Sequence, residues 1–484
     1  MSPSMSSSAV GVAMVLGGVV AVLGPGAGRP AFGGDAPRDV AAIWKETCAS
    51  CHGEQLQGGQ APTLLDDEWS FGGDDASLAR SVREGNVDAG MPAFGELLDD
   101  KDVRALVIYI RERRAEHERE GTTFAAPRGD SVVRSEEHGF RVETLVDGLD
   151  IPWSIAFLPD GGLLVTEKPG RLRIVEHGKL VPEPVAGIPV VWSEGQGGLL
   201  DVTVHPDYAT NGWVYLSYSD PGPDGTAMTA VVRGRIRDGH WVDEETLFRA
   251  PVALYRRARV HFGSRFVFDG KGHLFFTIGE RGHQDDAQDL TRPNGKVHRI
   301  HDDGRIPKDN PFADRPGAIP SIWSYGHRNP QGLAEDPVSG DLWDAEHGPR
   351  GGDELNIVVR GRNYGWPVIT YGMNYDGTPI TDLTAKEGLE QPVLHWTPSI
   401  AVCAIDFYRG DRFPRWKNDL LVSSLAAEEL RRVVVEGGRV TKQEVLFKGI
   451  GRVRDVVSGP DGYVYVSLEP GRVARLVPAE DAGP

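Results

Sequence analysis

Between residues 139 and 478 one unit recurs six times: an apolar strand, a Pro/Asp/Gly turn, then a second strand ending in small hydroxyls or acids. The copies are IAFLPDGGLLVTEKPGRLRIV, LDVTVHPDYATNGWVYLSYS, SRFVFDGKGHLFFTIGERG, GLAEDPVSGDLWDAEHGP, IDFYRGDRFPRWKNDLLVSSL and DVVSGPDGYVYVSLEPGRVARLV. About 340 residues shared among six units leave roughly 55 for each, room for a four-stranded blade with generous loops. A sandwich also contains short hairpins, but not six similar ones in series. The expectation is an all-β, six-bladed β-propeller over residues 139–478. The 61 Gly and 34 Pro in 484 residues agree with so many turns.

Ahead of the repeat lies a different chemistry. ETCASCHGEQLQGG places Cys48 and Cys51 three positions apart, with His52 directly after. Cys-x-x-Cys-His is the attachment pattern of c-type haem. The thiols add to the porphyrin vinyl groups, and the imidazole becomes the proximal iron ligand. A zinc site would need further Cys or His ligands nearby, and Cys403 is the only other cysteine. A redox pair would sit at a strand-to-helix junction of a βαβ fold, which is not visible here. Downstream, DAGMPAFGELLDDKDVRALVIYIRER holds Met91 between Gly90 and Pro92, before a helix pattern with Val103, Leu106, Val107 and Ile110 on one face. Residues 37–115 resemble a small, all-α class I cytochrome c domain. That resemblance implies Met91 as distal ligand, whose thioether raises the haem potential.

The apolar run Ala9–Leu23 is the length of a signal-peptide core and short for a membrane span. No Lys or Arg precedes it, so residues 1–30 read as a signal peptide or a weak anchor, with export favoured. Residues 116–138, charged and then loose in Gly, Pro and Ser, read as an interdomain linker continuing a frayed helix end. The formal charge of −18 argues against a nucleic-acid partner.

Loops between blades are where a propeller binds its ligands. In RRARVHFGSRFVF, His261 stands at a strand entrance, a plausible general base. SYGHRNPQGL sets Arg328 and Asn329 on a Gly/Pro-bounded turn, and GIGRVRDVVSGPDG sets Arg452 and Arg454 two residues apart, on one side of an extended chain. Three arginines on such loops imply a polyanionic ligand. In DAEHGPRGGDELNIVVRGRNYGWP, exposed backbone carbonyls and the Asp353 and Glu354 carboxylates offer the oxygen ligands that calcium takes.

These clusters, with EGQGGLLDVTVHPDY, resemble the soluble, pyrroloquinoline-quinone (PQQ)-dependent aldose and glucose dehydrogenases, the glucose/sorbosone dehydrogenase family, from residue 139 to 478. The motifs HFGSR, GHRNPQG, EHGPRGGDELN and NYGWP occur in order. The resemblance implies PQQ lying over the channel mouth. It makes His261 the base for the sugar C1 hydroxyl, with Gln196 beside the reacting centre. It gives Arg328, Arg452 and Arg454 the cofactor's carboxylates and quinone oxygens, assisted by Asn329. It implies a calcium on the Gly348 and Pro349 carbonyls, a second calcium at Glu354 and the Tyr364 carbonyl, and Trp396 as an aromatic wall of the sugar pocket.

Two positions depart from the glucose branch of the family. Ala426 in VSSLAAEEL replaces a lysine that contacts the quinone, and Val260 replaces an acidic residue before the catalytic histidine. The expected whole is a periplasmic or extracellular quinohaemoprotein. It would oxidise an aldose to its lactone and pass electrons from PQQ to haem c, then to an external acceptor such as a soluble cytochrome or respiratory oxidase. The alternative is a non-catalytic, ligand-binding propeller carrying an electron-transfer cytochrome domain. An eight-bladed haem propeller does not fit six units.

Overall fold

A computed structural model describes residues 38–121 and 126–479 of the chain. The segment read as a signal peptide or anchor lies outside the described residues. Among them no helix is long and apolar enough to cross a membrane.

Six antiparallel sheets follow one another along the chain, five of four strands and one of five. Their innermost strands are Pro152–Phe157, Leu199–Val204, Phe266–Phe268, Pro330–Glu335, Val402–Phe407 and Val453–Ser458. Each begins one of the six repeats, so the unit legible in the sequence is the inner half of a blade. The last blade closes the ring: Gly139–Val146 pairs with Arg472–Pro478, and Val133–Arg134 adds a fifth strand outside it. Part of the stretch expected to be linker is therefore sheet, because Val133 and Arg134 find the unpaired edge of Gly139–Val146.

The hydroxyls and acids that end the second strands tie neighbouring blades together. Thr166 donates to the Leu200 carbonyl at 2.5 Å and Thr277 to the Pro330 carbonyl at 2.8 Å. Near the axis Arg265 is buried against Asp201 at 3.1 Å and Asp455 at 2.9 Å, while Asp455 accepts from the Ile155 amide at 2.8 Å. Burial pushes the Asp455 carboxyl up to about 7 despite the guanidinium. Apolar side chains interdigitating between the faces of adjacent blades make up the bulk of the core.

The N-terminal region is helical: α1 (Val40–Thr47), α2 (Ala49–His52), α3 (Asp75–Glu84) and α4 (Asp100–Gly121). Asp39 and Asp74 cap α1 and α3 with side-chain oxygens. Val103, Leu106, Val107 and Ile110 all face the core they share with Val40, Ile43 and Trp44. Met373 of the propeller, 1% exposed, belongs to that same core. Arg350 pairs with Glu112 of α4 at 2.8 Å, Arg104 donates to the Tyr371 carbonyl at 3.2 Å, and the Val40 amide donates to the Gly377 carbonyl at 3.3 Å.

Candidate active site

The innermost strands of the third blade and its neighbours bring His261 to a constrained position. His261 has φ of 55°, a left-handed conformation that costs a β-carbon-bearing residue about 1–2 kcal/mol. Two contacts hold it there. Its amide donates to the Gln196 side-chain oxygen at 2.8 Å, and its Nδ1 meets the Glu280 carboxylate. A carboxylate only accepts, so Nδ1 carries the proton and the lone pair stands on Nε2. Gly279 has no alternative here: a β-carbon would lie 2.5 Å from the His261 carbonyl and 2.7 Å from the Asn329 side-chain oxygen. Asn329 itself accepts from the Gly263 amide at 3.0 Å, the turn that follows His261. The side chain of His261 is 11% exposed. Burial, then the Arg328 charge, lowers its pKa below the usual histidine value, and Glu280 opposes both. Arg281, buried and face-on to Phe262 at 3.3 Å, donates to the Ala258 carbonyl at 2.7 Å and also meets the Val260 carbonyl, fixing the backbone that enters the histidine.

Arg328 donates to the His347 carbonyl at 3.0 Å and the Gly348 carbonyl at 2.8 Å, with Trp366 at 5.3 Å and Tyr375 at 6.0 Å from its guanidinium. Its Nε is buried without a partner, as is Nε2 of His347. The His347 pKa is driven well below the ordinary value by burial and then by Arg328, Arg454, His261 and Arg452. One imidazole thus lies within electrostatic reach of all three arginines and the other histidine. Arg452 and Arg454 do point to one side of their strand: both reach Glu469, at 3.1 and 2.6 Å.

Asp353 pins the glycine-rich loop from below, accepting from the Gly348 amide at 2.9 Å, Ser399 at 2.7 Å and the Val402 amide at 3.0 Å. The Gly348 carbonyl has one lone pair on Arg328 and a second left over; Pro349 is buried beside it. Glu354 stands across the sheet from Glu346, and His327 stacks on Tyr364 at 4.5 Å. His327, Asp344 and Glu346 are buried with ligand atoms within 4.8 Å of one another. The two carboxylates push His327 up to about 9, while burial and Glu346 raise Glu354 well above the carboxylate range. Asp344, Glu346 and Glu354 thus bring three carboxyl groups together, the hard oxygen donors that a divalent cation takes.

Trp396 is placed on the outermost strand of the fourth blade, 7% exposed, donating to Gln443 of the fifth blade at 2.9 Å. Its indole packs chiefly in the inter-blade core rather than standing as an open wall. With Ser399 and Ile400 it borders a groove of about 700 Å³ whose far side is Arg111 and Arg114 of α4.

In the helical region Cys48, Cys51 and His52 share one turn, joined by the His52 amide to the Cys48 carbonyl at 3.0 Å. The Trp44 indole donates to the Gly53 carbonyl at 3.2 Å, and its ring lies 6.2 Å from the imidazole. His52 Nδ1 is buried with no partner in good geometry, facing the Pro62 carbonyl. Burial lowers the His52 pKa and raises that of the Cys48 thiol. Met91 closes a tight hairpin on Asn86, with amide–carbonyl bonds of 2.9 and 3.1 Å. Cys48, Leu64, Leu65, Met91 and Phe94 border one apolar core, a lining that suits a porphyrin.

Sequence reasoning missed Glu280, Arg281, His347 and Glu469. Glu280 and Arg281 end the third repeat as GERG and Glu469 follows the second strand of the sixth, so the strand-end position itself was the signal.

Both parts of the chain have known relatives. The family model described as Glucose / Sorbosone dehydrogenase matches residues 149–476, and that described as Cytochrome C oxidase, cbb3-type, subunit III matches residues 35–110. The aldose sugar dehydrogenase YliI of Escherichia coli (strain K12) is 48% identical over 331 residues, covering 67% of this chain and 89% of that protein. A crystal structure of the soluble aldose sugar dehydrogenase from Escherichia coli in the apo-form aligns with a TM-score of 0.67 and 44% identity, over 70% of this chain and all (100%) of that one. The PQQ-bound form of an aldose sugar dehydrogenase from Streptomyces coelicolor aligns with a TM-score of 0.59 and 26% identity, over 73% and 100%. The chain belongs to the glucose/sorbosone dehydrogenase family of oxidoreductases and carries a cbb3-type cytochrome c domain ahead of its six-bladed propeller.

Proposed function

We propose that the protein oxidises the C1 hydroxyl of an aldose to the lactone with PQQ, and passes the electrons through haem c to an external acceptor, a soluble cytochrome or respiratory oxidase. What supports this is a buried imidazole held by Glu280 and Gln196, with Asn329 of the Arg328 turn beside it and Arg452 and Arg454 paired on Glu469. The similarity to a PQQ-bound aldose sugar dehydrogenase supports the choice of cofactor.

Bound PQQ supplies a two-electron acceptor for the C1 hydride. Around it, Arg328, Arg452 and Arg454 would hold carboxylate and quinone oxygens, with Asn329 fixing the turn beside His261. His261 Nε2 takes the C1 hydroxyl proton. Glu280 holds the opposite nitrogen and stabilises the imidazolium that forms. Gln196 carries the amide of His261 and so sets where the base points. Gly348 and Pro349 would offer carbonyls to a calcium that polarises the cofactor, and Glu354 with the Tyr364 carbonyl would hold a second, structural calcium.

Haem c supplies a one-electron acceptor on the same chain. Cys48 and Cys51 would bind it covalently, with His52 and Met91 on its iron. Covalent haem and PQQ both suit an exported protein in the periplasm or outside the cell. The test is to reconstitute the purified, haem-loaded chain with calcium and PQQ, then follow dye reduction and the reduced-haem absorbance band with a panel of aldoses. Sugar-driven haem reduction that requires PQQ is the expected result. Absence of dye reduction with every aldose refutes the activity.

A further inference from the structure

One cation at this mouth has no task so far. Lys168 follows Glu167 at the end of the second strand of the first blade, in the TEKPG turn. Its amide donates to the Ile151 carbonyl at 3.0 Å and its carbonyl accepts from the Leu199 amide at 3.0 Å, so its backbone is fixed. Its stem lies on Gly198, where a β-carbon would come 2.7 Å from Lys168 Cγ. Gly198 belongs to the EGQGG turn that presents Gln196, and without a side chain there the lysine passes directly over that turn. At the other end, the ammonium is close enough to Arg454 and Glu469 for both to act on its charge. Among the described residues it has no hydrogen-bonded or ion-paired anion of its own.

The local charge is unbalanced. Of the two acids that act on Lys168, Glu469 is engaged with Arg452 and Arg454, and Asp150 pairs with Arg171 at 3.3 Å. A half-buried ammonium beside a guanidinium is unfavourable unless an anion joins them. The pKa of Lys168, lowered by burial and then by Arg454, reflects that repulsion.

We propose that Lys168 is a cofactor-binding residue, donating from the first blade to an anionic oxygen of PQQ. This rests on the proposed function above. The first blade is one neighbour of the sixth in the ring, and the fifth blade is the other. Ala426 sits exposed at the end of the fifth blade's second strand, in a turn whose amide reaches the Ile400 carbonyl at 3.1 Å. At the matching strand end the fifth blade thus presents uncharged Ala426, whereas the first blade presents Lys168.

Equilibrium titration of PQQ into the calcium-supplied, haem-bearing full chain tests this, with binding as the readout and melting temperature as the control for folding. Lys168→Met is expected to weaken binding about tenfold or more, the worth of one charge-assisted hydrogen bond. Lys168→Arg is expected to retain most of the affinity, and adding Ala426→Lys to Lys168→Met to recover it. Wild-type affinity in Lys168→Met overturns the assignment, and so does a loss that neither Lys168→Arg nor Ala426→Lys recovers. If the unaltered chain binds no PQQ, the proposed function itself fails, which the same titration reveals first.

Discussion

Replacing Glu280 by Gln tests how the base works, because it removes the charge beside His261 Nδ1 while leaving an oxygen to accept its proton. His261 is 9% exposed, so solvent screens the pair little. A carboxylate in contact is worth about 1–3 pKa units to an imidazole, at about 1.4 kcal/mol per unit. Burial and Arg328 already hold His261 below the usual histidine value, with Glu280 resisting them. The base acts only when unprotonated, so kcat/KM of the PQQ- and calcium-loaded wild type rises with pH through a limb below about 6.5 and is flat above it. In Glu280→Gln the limb moves further towards acid, and the plateau falls by about tenfold, a fraction of what a general base contributes. The ratio of wild-type to variant rates is therefore larger at pH 8 than at pH 5. Stability gives a second reading. A folded pKa depressed below the unfolded one means stability is lost as pH falls through about 6.5, and the variant loses more of it. A wild-type limb at or above that pH, or a variant limb displaced upward, would refute the arrangement.

Arg265→Met leaves Asp201 and Asp455 buried without their cation and should cost about 3–5 kcal/mol in urea unfolding. The loss should shrink on going from pH 8 to pH 5, since Asp455, raised to about 7, accepts a proton across that interval. Calcium at one hundred times its dissociation constant should stabilise the chain by about 2.7 kcal/mol. Glu354→Gln should abolish most of that gain in a thermal melt with and without chelator. Glu112→Arg sets two guanidiniums together at the contact with Arg350, so hydrogen exchange at residues 371–378 should quicken, and adding Arg350→Glu should slow it again.

The ring of blades was legible because each innermost strand carries its own turn: PDGG, PDYATNG, DGKG, DPVSG, RGDRFPRWKND and PDG mark the returns to the second strand. The histidine and arginine positions were legible because they sit on motif loops. What escaped was whatever depends on two distant segments meeting. Glu280 was inside a quoted repeat, yet only the fold shows that its strand end faces the left-handed residue 261. Glu469 lies a whole hairpin away from Arg452 in sequence and bridges it in space. Val133 and Arg134 lie among Gly, Pro and charges, where local propensity gives no strand; the open edge of Gly139–Val146 recruits them. The indole of Trp396 packs inward because Gln443, 47 residues on, takes its N–H.

Two segments flanking the Asp353–Ile357 strand, Gly348–Gly352 and Tyr371–Gly377, join the two halves. At the start of the first, Gly348 is bound by Arg328. Two residues later Arg350 grips Glu112 of α4, and its amide and carbonyl pair with Met373 at 3.0 Å each. Gly351 lacks a side chain beside α4, where a β-carbon would stand 3.1 Å from Thr397 and 3.5 Å from Ile108. Met373 then buries itself in the core that Trp44 shares, and Trp44 is the ring beside His52 and 5.8 Å from Tyr109. A displacement of the helical domain must therefore pull on the same backbone that presents the Gly348 carbonyl. A tether alone would keep the haem nearby at roughly millimolar effective concentration in many orientations. These shared contacts select one orientation instead, and in the proposed reaction they would tie the haem's position to that of the His261 site.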